Sequence, residues 1–315
     1  MSGLEKILVV KTNKLMWCAP FFGIFERSEF TPCQPNVSRF LRRIASLIIK
    51  NMTHTWKITN NKLEEIQLPD KSSLDAITRQ LPDGYYSTFR TYDDCTHVIG
   101  LTAHLRRLPG VDASPLRRNL LSLLEPYRPG ETRVRVMLTR QGGLYISMEP
   151  LKFLPQAVYK SGVRVETTTI SRSDPRVKST AFIGASGDER KHIAQQGIFE
   201  ALLVKNGGIL EGMTSNFFYV VDNILYTARN DILLGVTRTM VIRAARGRGV
   251  DVKYRPLKLD QLPGVKEAFI TSSSRGIVPV IRINDVKVGR GRVGQTTKLL
   301  MKAYEEYVLK HAEKI

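Results

Sequence analysis

One stretch, FEALLVKNGGILEGMTSNFFYVVDNILYTA (199–228), constrains the fold more than any other. It is dense in apolar, β-branched and aromatic residues, the composition of strands half or fully buried. Asn206-Gly207 interrupts it between two apolar runs, which is a strong hairpin signal. Asn216 to Ala228 extends the pattern into a meander. Within it, Gly207 to Val221 reads as a buried strand, yet Glu211 sits in its middle. A buried carboxylate is costly unless it is paired. The partner of Glu211 is therefore the first question the chain poses.

The surrounding elements alternate. GYYSTFRTYDDCTHVIGL reads as two strands around an Asp-Asp turn, and TAHLRRL opens a helical part. TRVRVMLTR and GLYISMEPL form a hairpin around Gln141-Gly142-Gly143. GVRVETTTI is a strand, and STAFIGASGDERKHIAQQGI is helical in its second half. GVTRTMVIRAARGRG is a helix with Met240, Val241, Ala244 and Ala245 on one face, which Gly247 and Gly249 can end. EAFITSSSRGIVPVIRI is strand, loop, strand. QTTKLLMKAYEEYVLK closes the chain as a helix with Leu300, Tyr304, Tyr307 and Val308 on one side. The order predicts a mixed α/β (α+β) chain in two lobes that meet near Pro155: an N-terminal α/β domain over 52–155 and a larger C-terminal one over 156–315.

GRGRVG (289–294) matches a dinucleotide-binding pattern between a strand and a helix. Only about twenty residues follow it, too few for a βαβ unit. It is read as a turn before the last helix.

The first 51 residues are read as an extension. They hold a short apolar run, LMWCAPFFGIF, and a basic amphipathic stretch, RFLRRIASLIIKN. MTHTWKITNNKLEEI looks like a natural start, so Met52 is expected to be the initiator. The net charge of +19 points to anionic partners: nucleic acid, a membrane surface, or small acidic substrates. No apolar run reaches the roughly 18 residues that span a bilayer. Cys18, Cys33 and Cys95 are far apart and lack metal-ligand spacing. They imply a reducing, cytoplasmic setting and no metal site.

Three segments are built to hold an anion. Gly235-Val236-Thr237 precedes a helix, whose first amides and positive end suit phosphate. TSSSRG (271–276) offers hydroxyls and loop amides between two strands. HLRRL (104–108) supplies Arg107 for a bidentate contact. Lys178, in SDPRVKSTAFIG, is a candidate nucleophile if its amine is desolvated among cations.

Taken together, these motifs resemble the class IV aminotransferases, the fold-type IV pyridoxal-phosphate family of branched-chain and D-amino-acid aminotransferases and aminodeoxychorismate lyase. The resemblance runs from about Gly84 to Leu300. It implies a two-lobed fold with a barrel-like C-terminal domain, pyridoxal 5′-phosphate as cofactor, and a homodimer. HLRRL resembles the family's His-x-x-Arg-Leu, whose arginine binds the cofactor phosphate, here Arg107. Lys178 matches the Schiff-base lysine. EGMTSN is close to Glu-Gly-x-x-x-Asn, so Glu211 is expected to pair with the cofactor's pyridine nitrogen, a partner that is not protein. LLGVTR and TSSSRG match the phosphate loops, here Val236, Thr237, Ser272 and Ser273.

The resemblance implies ping-pong transfer of an amino group between an amino acid, branched-chain or of the D series, and a 2-oxo acid, with Lys178 as acid and base. Tyr86, Arg90 and Arg275 are the expected substrate contacts. The chain departs from the subfamily patterns, since STAFIG follows Lys178. Aminodeoxychorismate lyase chemistry stands as the alternative. A basic nucleic-acid-binding protein is a remote one, which the spread of charge and the lack of a basic helix with interleaved aromatics disfavour. Neither nucleic acid nor membrane is expected as a partner.

Overall fold

The computed structural model describes residues 52–111 and 113–315. The expectations for residues 1–51, and with them the start at Met52, lie outside the described residues.

Two sheets carry the fold. The first contains β1 (His54–Thr59), β2 (Lys62–Glu65), β3 (Gly84–Tyr92), β4 (His97–Val98), β5 (Thr132–Thr139) and β6 (Leu144–Pro150). A last short strand, Glu313–Lys314, joins it by pairing with β4. The spatial order runs from that strand through β4, β3, β5, β6 and β1 to β2. Side chains alternate across a strand, so this sheet has two unlike faces. Phe89, Val134, Val136, Ile146 and Met148 are buried on one face. There they meet helices α2 (Leu101–Leu105) and α3 (Ala113–Leu124), the latter through Leu116, Leu120, Leu123 and Leu124. That spacing of four, seven and eight residues is one helical stripe. The opposite face carries Tyr86, Thr88, Arg133, Arg135, Ser147 and Glu149, in neighbouring registers of β3, β5 and β6. Helix α1 (Leu74–Gln80) lies beside that polar face, capped by Ser73 Oγ, which accepts from the Ala76 N–H.

The second sheet holds β7 (Val163–Thr168), β8 (Glu200–Lys205), β9 (Gly208–Gly212), β10 (Asn216–Val221), β11 (Ile224–Thr227), β12 (Val252–Tyr254), β13 (Leu257–Lys258), β14 (Glu267–Ser272), β15 (Gly276–Ile283) and β16 (Val286–Lys287). Six of these strands close on themselves, in the order β10, β14, β15, β7, β8, β9 and back to β10. The closing bridge pairs Asn216 with Glu211. Val165, Leu202, Phe217, Ile270 and Val278 fill one cluster inside this barrel. Phe218, Val220 and Phe269 face outward and pack on helices α7 (Val236–Gly247) and α8 (Gln295–His311). The Asn206-Gly207 and Asp222-Asn223 turns have positive φ at both residues, the form that matches strand twist in a hairpin.

Two readings change, and one short helix is added. Gly207 to Val221 is two antiparallel strands, and residues 213–215 turn between them; Glu211 is near the end of the first strand, not the middle of one. The segment after Lys178 is helical in both halves, as α5 (Ala181–Ala185) and α6 (Gly187–Gln195). Pro155 N-caps another short helix, α4 (Gln156–Ser161), because its fixed φ suits a helix entry.

GRGRVG forms the turn that precedes α8, as expected, and its last glycine has a packing reason. The Glu267 carboxylate accepts from the Thr296 and Thr297 N–H groups, capping α8 in place of a local side chain. A Cβ on Gly294 would stand 2.0 Å from Glu267 Cδ. Gly294→Ala displaces that cap and costs about 1–2 kcal/mol, a fall in Tm of a few degrees by calorimetry. An unchanged Tm would show that Glu267 does not support the helix.

Candidate active site

The polar face of the first sheet and the rim of the barrel enclose a cavity of about 400 Å³, within the range of small-molecule sites. Lys178 reaches it from the crossover between β7 and β8. That crossover is pinned to the start of β3. Tyr86 N–H donates to the Lys178 carbonyl at 3.0 Å, and Thr180 N–H donates to the Gly84 carbonyl at 3.0 Å. The Lys178 amine lies 4.9 Å from the Tyr86 ring centroid. Burial, then the positive charges of Arg107, Arg172 and Arg135, push its pKa well below the usual 10.5. The amine is therefore held toward its neutral, nucleophilic form.

Glu211 faces the same cavity and is 2 % exposed. It has protein partners, which corrects the expectation that it has none. Arg172 Nε donates to Oε1 at 3.0 Å. Asn216 Nδ2 and the Leu233 N–H donate to Oε2, each at 3.1 Å. Arg172 is itself held by the Met213 carbonyl and stacks 3.9 Å from the Phe182 ring centroid. A carboxylate offers about four acceptor positions, and three protein donors leave one open. Burial lifts the Glu211 carboxyl to about 7, against the pull of Arg172 and the Leu233 N–H. The closeness of the two loops requires glycine: a Cβ on Gly235 would meet Asn216 Oδ1 at 2.0 Å.

The three segments singled out as anion cradles line the same cavity. Gly235 N-caps α7 without any side-chain cap, so the Val236 and Thr237 amides remain available at the cavity. Thr237 Oγ1 and Ser273 Oγ lie 3.3 Å apart, and Ser272 lines the cavity beside them. Arg107 Nη2 donates to the Leu234 carbonyl at 2.6 Å, which ties α2 to this loop. Burial lowers its pKa to about 10, so it stays charged at neutral pH. His104 is buried between Ser87 Oγ at 2.9 Å and Ser273 Oγ at 3.5 Å. Burial and Arg107 hold its pKa well below 6.5, so it is neutral.

The expected substrate contacts divide. Tyr86 and Arg275 line the cavity. Arg275 is bonded to Glu200 at 2.9 Å, Thr214 at 2.7 Å and Ser272 at 3.0 Å through Nε and Nη2. Arg90 does not reach the cavity. It lies on the same face of β3 as Tyr86 but four residues further along, about 13 Å away. There it stacks on Tyr92 and Phe153, with centroid distances of 4.5 Å and 4.9 Å. Reading the sequence missed Arg172, Arg133, Arg135 and Arg190, all of which line the cavity. The alternation of Arg133 and Arg135 in TRVRV was the one available signal that two cations share a face. Nothing local marked Arg172 or Arg190.

The residues present fit pyridoxal phosphate. An uncapped helix start with hydroxyls and Arg107 suits a phosphate, Glu211 keeps an acceptor position for a ring N–H, and Lys178 presents an amine held toward its neutral form.

Comparison with known proteins agrees. The model of the family described as amino-transferase class IV matches residues 84–283. A D-alanine aminotransferase of Bacillus licheniformis is 26% identical over 265 residues, covering 75% of this chain and 91% of its own. A provisionally named branched-chain amino acid aminotransferase of Thermotoga maritima has a similar structure, with 25% identity and a TM-score of 0.68 over 82% of this chain and 96% of its own. A hypothetical aminotransferase of Mycobacterium tuberculosis in its PLP-bound form shares the fold, with a TM-score of 0.66 at 19% identity over 81% of this chain and 99% of its own. These names favour amino transfer over the lyase alternative. The barrel, Lys178 and the buried Glu211 on one cavity, and a family match across most of both sheets together place this chain in the class IV aminotransferase family, as an enzyme of that type.

Proposed function

We propose that this aminotransferase binds pyridoxal 5′-phosphate in the cavity and moves an amino group between an amino acid and a 2-oxo acid, in two half-reactions. The observation that carries this reading is the placement of Lys178 and Glu211 on one cavity that also holds an anion cradle. When bound, the cofactor supplies a carbonyl for the lysine amine and an electron-withdrawing ring. Arg107, Ser272, Ser273, Thr237 and the Val236 amide are the proposed phosphate holders. Glu211 takes the ring N–H, and Arg172 and Asn216 keep its carboxylate oriented. Lys178, once free, moves the proton at the substrate Cα. The neutral amine that this requires is what burial among arginines favours. Tyr86, beneath the amine, forms a wall of the substrate space.

The homodimer is also proposed, on the family resemblance, and a cytoplasmic setting on the cysteine usage. The lobe boundary near Pro155 is proposed on the division of strands, with 54–150 in the first sheet and 163–287 in the second, and the short strand Glu313–Lys314 returning to the first.

The visible absorption spectrum tests the reading. Purified protein with pyridoxal phosphate is expected to show a band that amino donors bleach. L- and D-amino acids tried in turn then identify the hand. No band at any cofactor concentration would sink it. Arg107→Met is expected to weaken cofactor binding about 10- to 100-fold, the worth of a charged hydrogen bond. Equal affinity in a spectral titration would remove Arg107 from the phosphate site.

A further inference from the structure

HLRRL supplies a second group besides Arg107. His104 is 1 % exposed and does not line the cavity, yet it stands directly behind the anion cradle. Its Nδ1 lies 2.9 Å from Ser87 Oγ on β3, and its Nε2 lies 3.5 Å from Ser273 Oγ. Ser87 is fully buried, and its hydroxyl has no other hydrogen-bond partner among the described residues. Ser273 Oγ is also 3.3 Å from Thr237 Oγ1. A chain of polar groups therefore runs from the first sheet to the cradle, through Ser87, His104, Ser273 and Thr237.

A phosphate dianion only accepts hydrogen bonds, so each hydroxyl that holds it must present its hydrogen. What lies behind the hydroxyl decides which way that hydrogen points. Behind Ser272 is Arg275, whose Nε donates to Ser272 Oγ at 3.0 Å. A guanidinium cannot accept, so the Ser272 hydrogen is left for another partner. Behind Ser273 is an imidazole, which can do either. Burial and the charge of Arg107 keep it neutral, so one nitrogen donates and the other accepts. With the hydrogen on Nδ1, Nε2 accepts from Ser273, and that hydroxyl turns only lone pairs to the cavity. With the hydrogen on Nε2, Ser87 donates to Nδ1 and Nε2 donates to Ser273 Oγ. The Ser273 and Thr237 hydrogens are then both free for an anion. The 3.5 Å separation is at the outer limit for such a bond, a length that sites tighten as they bind.

We propose that His104 is a positioning residue of the cradle: as its Nε2–H tautomer it donates to Ser273 Oγ and aims the Ser273 hydrogen at the phosphate, as Arg275 aims that of Ser272. This rests on the reading of the cavity as the pyridoxal-phosphate site. His104 touches neither cofactor nor substrate and acts through Ser273 alone. The same tautomer gives the buried Ser87 hydroxyl its use, since a bare Nδ1 needs a donor and Ser87 is the one that the first sheet supplies.

Spectral titration with two aldehydes tests it: pyridoxal phosphate, and pyridoxal, which lacks the phosphate. Asparagine places its amide nitrogen near the Nδ1 position and glutamine near that of Nε2, so only glutamine brings a donor to Ser273. His104→Asn is expected to weaken pyridoxal phosphate binding about 3- to 10-fold, the worth of one hydrogen bond, and to leave pyridoxal binding unchanged. His104→Gln is expected to recover most of the loss. Equal affinity of wild type and His104→Asn for pyridoxal phosphate overturns the proposal. So does an equal loss for both aldehydes, which is what a packing defect gives, and so does glutamine that binds no better than asparagine. No cofactor band in wild type with pyridoxal phosphate would instead reject the reading of the cavity, and the proposal with it. A second measurement needs no variant. In protein labelled with ¹⁵N-histidine and loaded with the cofactor, NMR is expected to find the hydrogen on Nε2 in the ring next to Phe89, 5.4 Å between centroids. A bare Nε2 there overturns the proposal.

Discussion

Lys178→Met is expected to lower turnover by about 10²- to 10⁴-fold, the worth of a positioned acid and base, and at the same time to make the cofactor-free protein more stable. The loss of rate follows from removing the only amine placed both against Tyr86 and on the cavity that Glu211 lines, among the described residues. The gain in stability follows from linkage. The unfolded chain carries this lysine with its usual pKa of 10.5, and the folded chain holds it well below that. Between the two values the unfolded state binds the extra proton. The penalty on folding is therefore absent above pH 10.5 and grows as pH falls toward the folded value. Methionine has a similar length and no proton to lose, so the variant escapes the penalty. Thermal melts of the cofactor-free proteins at pH 7 and at pH 10 check this. A variant that keeps wild-type turnover, or whose Tm is lower at pH 7, would contradict the assignment.

Glu211→Gln is expected to lower kcat about 10²- to 10³-fold, as loss of one aimed charge does in other sites. Glutamine preserves the volume and can keep an acceptor for the Asn216 and Leu233 donors. It cannot balance a cationic ring. The same substitution has a signature in pH. The wild-type carboxyl is raised from 4.5 to about 7, first by burial. A raised carboxyl contributes stability that is complete below the unfolded pKa and disappears as pH rises through the folded one. For Glu211 this window runs from 4.5 to about 7 and is worth roughly 3 kcal/mol. Denaturant titrations of the cofactor-free protein across that window are expected to show the decline in wild type and to lack it in Glu211→Gln. Identical profiles would place the titration on another group.

Several features were legible before any coordinates. The Asn-Gly turn and the meander after it follow from local sterics, because positive φ is easy only for such residues. The faces of α7 and α8 follow from helical period. The phosphate-side segments were legible as well, since a glycine before a helix start and a hydroxyl-rich loop between strands both leave donors free. Lys178, Glu211 and Arg107 were named from their motifs, and all three line one cavity.

What the chain order could not reveal was which distant groups share that cavity. Arg172 and Glu211 are 39 positions apart and become partners only because the barrel closes at Asn216 and Glu211. Arg90 and Arg133 are neighbours in register, yet one stacks outside on Phe153 and the other lines the cavity. Asp75 joins Arg135 and Arg190 across 60 and 115 positions. The sequence alone determined which residues prefer strand, turn and helix, and which short segments can hold an anion, because those are short-range properties of backbone and side chain. Tertiary structure decided which charges pair and which stay unspent, because Coulomb energy and desolvation depend on distance in space and on what surrounds each group.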